Sequence, residues 1–122
     1  MTQDRLTLGR LGEDAAAQHL KRNGMKILER NFCTPVGEID IVARCRKFLV
    51  FVEVKTRRSD AFGSPGEAVG PRKQRQIIRA ASWYLNDKPH KGLQPRFDVI
   101  AITLHGSDFQ IEHITGAFEV QP

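Results

Sequence analysis

GEIDIVARCRKFLVFVEVK, residues 37–55, is the stretch whose reading decides the fold. Apolar and polar residues alternate on either side of a basic segment, residues 44–47, which predicts two antiparallel strands over 38–43 and 48–57 joined by a tight turn. Strict alternation places Glu38 and Asp40 on one face with Val42, and Ile39, Ile41 and Ala43 on the other. In the second strand Leu49, Phe51, Glu53 and Lys55 share a face, and Val50, Val52 and Val54 share the opposite one. A strand apolar on both faces is covered on both sides, yet a carboxylate and an ammonium interrupt this one near its end.

If the turn sets the register, Asp40 comes opposite or diagonal to Glu53, and the two carboxylates repel unless a positive charge lies between them. A divalent cation answers that repulsion. Hard oxygen donors on two rigid strands, with positions left for water and phosphate, suit Mg²⁺ better than a thiophilic ion. Lys55 is placed to stabilise a negatively charged transition state or to help deprotonate an attacking water. The alternative is an ordinary surface pair of Glu53 and Lys55, with Asp40 solvated at a strand end.

Asp40 followed by Glu53-x-Lys55 on the next strand resembles the PD-(D/E)xK nuclease signature, with Ile39 where the older signature has proline. The chain is similar nearly end to end to the YraN family of small bacterial proteins, through Gly12-Glu13, Arg30-Asn31, GEIDIVA, FVEVKTR, Phe62-Gly63, Lys73 and RFDVI at 96–100. The resemblance implies a restriction-endonuclease-like α/β fold, also similar to that of Holliday-junction resolvases. It further implies that a glutamate from the first helix, here Glu13, joins Asp40 and Glu53 at the metal.

At 122 residues the chain is expected to form one domain over 1–122. With 40% hydrophobic and 27% charged residues it has an ordinary globular composition. No apolar run approaches the roughly 20 residues needed to span a bilayer, and the N-terminus lacks the apolar core of a signal peptide, so the expectation is a cytoplasmic protein without membrane contact. Cys33 and Cys45 show no metal-site spacing and are expected as reduced thiols. A formal net charge of +5 favours polyanionic partners. The basic residues cluster at 44–47, at Arg57 and Arg58, and at Arg72, Lys73, Arg75 and Arg79.

The first element is predicted as a helix over 7–23 ended by Gly24, with Glu13 toward its apolar side. That position also suits a plain N-terminal glutamate favoured by the helix dipole. A strand over 25–32 leads through a turn at 33–37 into the hairpin. Residues 58–70, rich in Gly, Ser and Pro, are expected as a loop beside the site, with Phe62 and Gly63 as an anchor and a hinge. Pro71 opens a second helix over 71–86, with Pro89 beyond its end and Ile77, Ala80, Ala81, Tyr84 and Leu85 inward. Lys73 falls on that inward side near Glu53 and Lys55, where it could contact a phosphate, while Arg72, Arg75 and Arg79 point toward solvent. Trp83 and Tyr84 read as core or rim packing in preference to base-stacking platforms. Strands follow over 95–104 and 109–114. Asp98 reads as structural, paired with Arg96 or a neighbouring strand, and the four histidines form no ligand or triad pattern.

The expected architecture is therefore α/β, in αβββαβ order with a mixed sheet flanked by helices and an extra C-terminal strand. The functional expectation is a Mg²⁺- or Mn²⁺-dependent endonuclease acting on DNA, with structured or branched DNA among the expected substrates. Asp40, Glu53 and Glu13 would hold the metal, Lys55 would serve catalysis, and Lys73, Arg57, Arg72 and Arg75 would grip the backbone. A homodimer is compatible with symmetric cutting of two strands. Two further readings stay open. One is a nucleic-acid-binding accessory module that keeps the fold without turnover, and the other is a protein-binding role for the basic patches.

Overall fold

The computed structural model describes residues 2–58, 69–87, 90 and 92–120. The element order is α1 (Thr2–Arg22), β1 (Lys26–Thr34), β2 (Gly37–Cys45), β3 (Phe48–Arg58), α2 (Pro71–Asp87), β4 (Gln94–His105) and β5 (Asp108–Phe118). One five-stranded sheet has its strands in sequence order. β3 and β4 run parallel, and every other neighbouring pair is antiparallel. The parallel pair follows from α2, which lies between the two strands in the chain and carries it back along the sheet. This mixed sheet with a helix on each face is consistent with a restriction-endonuclease-like core. The expected loop residues Phe62 and Gly63, and Pro89, lie outside the described residues.

β3 is the middle strand and is covered on both faces, as its apolar run requires. On one face Ala16, Ala17 and Leu20 of α1 pack on Ile41, Ala43, Val50, Val52, Ile100 and Ile102. On the other, Ile77, Ala80, Ala81 and Tyr84 of α2 pack on Val42, Leu49, Phe51, Phe97 and Val99. The small residues of α1 let its backbone approach the sheet. At Gly12 the approach is closest, since a side-chain carbon there would overlap the Oγ1 of Thr56 and come within 2.7 Å of its Cγ2. No helix among the described residues is long and apolar enough to cross a membrane.

α1 begins at Thr2, earlier than the expected residue 7, and stops where Gly24 predicts. Gly24 adopts a φ of 82°, its N–H donates to the Lys21 carbonyl, and the Met25 N–H donates to that of Leu20. This pair of bonds is a Schellman closure, satisfying carbonyls that the helix end would otherwise orphan.

One expectation about the hairpin is corrected. Ile39 does not share a face with Ile41 and Ala43; it packs in the core beneath α2 while they pack beneath α1. The reason lies in the neighbouring strand, where Asn31 has a φ of 54°. Arg30 pairs with Ile41 and Phe32 with Ile39, so Asn31 and Asp40 drop out of the regular pairing together and the strands turn over between them. Such a break costs backbone pairing and re-aims a side chain. The side chain re-aimed here is Asp40.

Candidate active site

The β2–β3 ladder begins at the two-residue turn after Cys45 and its last regular pair is Ile41 with Val52. One step further Asp40 stands opposite Glu53, as the expected register requires. Instead of another backbone bond, the Asp40 Oδ2 accepts the Val54 N–H at 2.8 Å. The carboxylate thus ends the ladder itself and is fixed by the strand that carries Glu53 and Lys55.

Glu53 is only 5% exposed. Its Oε2 lies 3.4 Å from the Lys73 Nζ and 3.7 Å from the Lys55 Nζ. Lys55 reaches it from the same strand, and Lys73 from the first turn of α2, whose N-terminal turn is fixed by Gln74: its N–H donates to the Gly70 carbonyl and its side-chain amide to that of Val69. A buried carboxylate needs such partners, because an unpaired charge in the interior costs several kcal/mol.

Burial raises the Asp40 carboxyl, and a hydrogen bond with Glu53 and the Glu53 charge raise it further, to about 7; the Val54 N–H and Lys73 oppose them. Asp40 therefore tends to keep its proton toward neutral pH in the metal-free protein. Glu13 is also raised, first by burial and then by the charge of Asp40, with Arg30 acting against both. Its Oε1 is buried without a hydrogen-bond partner, the Arg30 Nη2 standing 3.7 Å away and donating instead to Asp14 at 2.7 Å.

Glu13, Asp40, Lys55 and Thr56 line one cavity of about 440 Å³, closed on the α1 side by Leu8 and Gly9. Among the described residues, no three His, Cys, Asp or Glu are close enough together to hold a metal ion, so Glu13 does not close into a ligand set with the Asp40–Glu53 pair. The donor chemistry nevertheless fits a hard cation. Mg²⁺ is held in many sites by one or two carboxylates with water and phosphate completing its shell, and here Asp40 and the orphaned Glu13 oxygen border one cavity while Glu53 pairs with Asp40 beside it.

Of the remaining residues expected at the site, Arg57 follows on β3 two positions beyond Lys55 and is half-buried. Arg72 and Arg75 lie on the solvent side of α2 and are not brought to the carboxylates. A larger cavity, about 530 Å³, opens at the other end of β3 and β4 beside Phe48, Arg96 and Phe118. Size does not make it the better candidate, because its one strong cation, Arg96, is already held by Asp98.

Asp98 is the buried acid that alternation left as structural. Both its oxygens take Arg96, at 3.0 and 2.9 Å, and it also accepts the Gly116 N–H at 3.0 Å and pairs with the His113 Nε2 at 2.8 Å. Burial raises its pKa, but these partners, His113 and Arg96 foremost, outweigh it and hold the carboxyl below its ordinary value. His113 continues to His19 of α1, Nδ1 to Nε2, at 3.1 Å. Two of the four histidines thus join an Asp98–His113–His19 chain that ties α1 to β4 and β5. Nothing in the sequence spacing foretold it, because its members come from three elements.

A sequence model of the family described as "Uncharacterised protein family UPF0102" matches residues 12–102. That span opens at Gly12-Glu13 and includes Asp40, Glu53, Lys55, Lys73 and Asp98. A UPF0102 protein of Syntrophotalea carbinolica is 61% identical over 120 residues, covering 98% of each chain. One from Geobacter sulfurreducens is 54% identical over 114 residues, 93% of this chain and 89% of its own. Another, from Caldanaerobacter subterraneus, is 46% identical over 115 residues, 92% and 94%.

Proposed function

This chain belongs to the UPF0102 family, and we propose that it is a metal-dependent nuclease hydrolysing phosphodiester bonds in DNA, acting in the cytoplasm. The observation that supports this best is the Asp40–Glu53 pair. Two carboxylates are held together by a broken ladder and a buried position, and with Lys55 and Lys73 already beside Glu53 the Asp40 carboxyl is still raised, a cost that a bound cation would relieve.

Asp40 and Glu53 would hold the metal, with Glu13 facing it from across the cavity, directly or through water. When bound, Mg²⁺ or Mn²⁺ supplies polarisation of the phosphoryl oxygen and a water of lowered pKa. The chain's own groups supply the rest. Lys55, on the strand next to Glu53, orients the attacking water and offsets charge building on phosphorus. Lys73, on the helix side of Glu53, takes a non-bridging phosphate oxygen as a point charge. Arg57 extends the positive rim along β3.

The deciding experiment is cleavage of labelled linear, single-stranded, flapped and four-way DNA with Mg²⁺, with Mn²⁺ and with EDTA. Wild type is compared with Asp40→Ala and Lys55→Ala. Metal-dependent cutting lost in both variants is the expected result. Binding without cutting, unchanged in both variants, would move the protein to the accessory-module reading.

A further inference from the structure

Along α2, Arg72, Arg75, Arg79 and Trp83 follow at spacings of three, four and four, which puts them on one stripe of the helix. The stripe lies opposite the buried set Ile77, Ala80, Ala81 and Tyr84. Trp83 and Tyr84, adjacent in sequence, separate sharply: Tyr84 is 2% exposed and Trp83 49%. All three arginines are exposed as well, and among the described residues no carboxylate lies within ion-pair distance of them.

Two features say that this surface is more than a solvated face. The first turn of α2 has no acidic residue and two basic ones, against the preference of a helix N-terminus for negative charge. The only acidic residue of the helix, Asp87, is its last. In addition, the exposed indole borders a cavity of about 500 Å³ whose other walls include Phe32 and Pro35. A large exposed aromatic ring beside a cleft of mixed lining, with Phe32 and Pro35 on one side and Asn86 and Asp87 on the other, stands at the end of a row of guanidinium groups that make no ion pair among the described residues, and this combination matches a flexible polyanion that carries flat rings.

We propose that this stripe binds a single-stranded nucleic-acid segment, with Trp83 stacking on a base and Arg72, Arg75 and Arg79 following the phosphates. Stacking on an aromatic side chain needs an unpaired base, because duplex bases already cover each other's faces. The proposal deepens the nuclease reading and rests on it in one respect, that the bound strand continues past Lys73 to Glu53. A helix rise of about 1.5 Å per residue puts Trp83 roughly 15 Å along α2 from Lys73, a reach of a few nucleotides. The substrate class is then DNA with an unpaired extension or flap a few nucleotides from the cut, and the stripe selects it from continuous duplex.

Trp83 is the only tryptophan in the chain, so its intrinsic fluorescence reads the contact directly. The probe is an unlabelled dT oligomer titrated into wild-type protein in EDTA, where binding is followed without cleavage, with closed circular duplex as the comparison. Saturable quenching by dT and none by duplex is expected. By anisotropy of a labelled dT oligomer, Trp83→Ala should weaken binding at least about fivefold, Trp83→Phe should restore part of it, and duplex binding should be unchanged. Arg79→Ala should flatten the salt dependence of dT binding by about one unit of slope. Binding of dT that leaves the fluorescence and the Trp83→Ala affinity unchanged overturns the proposal, as does failure of dT to bind. The two readings fail separately. Metal-dependent cutting of duplex without dT quenching keeps the nuclease and removes the stripe's role, whereas quenching without cutting of any DNA does the reverse.

Discussion

The Asp40 carboxylate accepts the Val54 N–H at 2.8 Å and faces Glu53 across the end of the β2–β3 ladder, so one aspartate both terminates the sheet pairing and builds the charged centre. Its pKa, raised by burial and by Glu53 to about 7, makes the metal-free protein's stability depend on pH in a defined direction. A carboxyl whose pKa rises on folding stabilises fully below its ordinary value near 4, and that contribution is lost as pH rises through about 7. In EDTA, wild type should therefore lose stability between pH 5 and 8 relative to Asp40→Asn, which keeps an acceptor for Val54 but cannot ionise. The difference should be on the order of 2–4 kcal/mol, and Mg²⁺ should reduce it at pH 8. Urea melts at the two pH values measure it, and parallel profiles for the two proteins would refute a raised Asp40 carboxyl.

Gly12 sets the depth at which α1 lies on β3, and with it the position of Glu13. A methyl at Gly12 meets three side-chain atoms of Thr56, among them Cβ at 2.8 Å. Gly12→Ala should cost about 1–3 kcal/mol by forced separation of the two elements. Thr56→Ala in the same chain should recover part of that cost, because it deletes Oγ1 and Cγ2 but leaves Cβ. Thermal melts of the two single variants and the double variant give the coupling directly, and strictly additive losses would mean that the contact does not govern the packing.

How much of this was legible in the sequence depends on the distance over which each feature is encoded. The alternation of residues 38–57 with its short basic turn fixed the hairpin, its register and the facing of Asp40 by Glu53, because antiparallel pairing across a tight turn is a local matter. Gly24 marked the end of α1 for the same reason. The displacement of Ile39 was not legible, since it depends on Asn31 in the adjoining strand taking a left-handed conformation. Nor was the chain from Asp98 through His113 to His19, which needs the packing of α1 against β4 and β5. Lys73 was placed correctly by helical periodicity, which sends it to the buried side. The same periodicity sent Arg72 and Arg75 outward, so their inclusion beside Lys73 in the phosphate grip at the carboxylates was a matter of sequence proximity alone. Glu13 was assigned to the carboxylates by resemblance, and the structure brings it to the cavity wall but not into a closed ligand set.

Asp98 shows the opposite linkage from Asp40. Its carboxyl is held below its ordinary value by His113, Arg96 and the Gly116 N–H against the effect of burial. A depressed carboxyl contributes stability above its ordinary value near 4, and that contribution disappears as pH falls through the folded value. Asp98→Asn should therefore destabilise the protein at pH 7, by about 3–5 kcal/mol because Arg96 loses its buried counter-ion, and should flatten the loss of stability below pH 4. Acid titration followed by far-ultraviolet circular dichroism makes the comparison. Retention of the wild-type acid transition by the variant would place the acid sensitivity elsewhere.

Lys55 and Lys73 approach the same oxygen of Glu53 from opposite elements, at 3.7 and 3.4 Å, and this sharing predicts a non-additive pair. Both ammonium groups are partly exposed, so each single pairing is screened, and removing one lysine leaves the carboxylate with the other. Lys55→Ala and Lys73→Ala should each cost less than about 1 kcal/mol in stability. Removing both leaves a nearly buried carboxylate without a cation, and the double variant should lose distinctly more than the sum, at pH 8 and in EDTA. The two lysines part company in function. If the proposed nuclease reading holds, Lys55 acts where charge develops, and its loss should lower kcat by at least about 100-fold with little change in DNA binding. On the same reading Lys73 is a phosphate contact, and its loss should raise KM and reduce the salt slope of binding by about one. Equal effects of the two substitutions on kcat would mean that the helix lysine and the strand lysine do the same work, and that the division between chemistry and grip drawn from their positions is wrong.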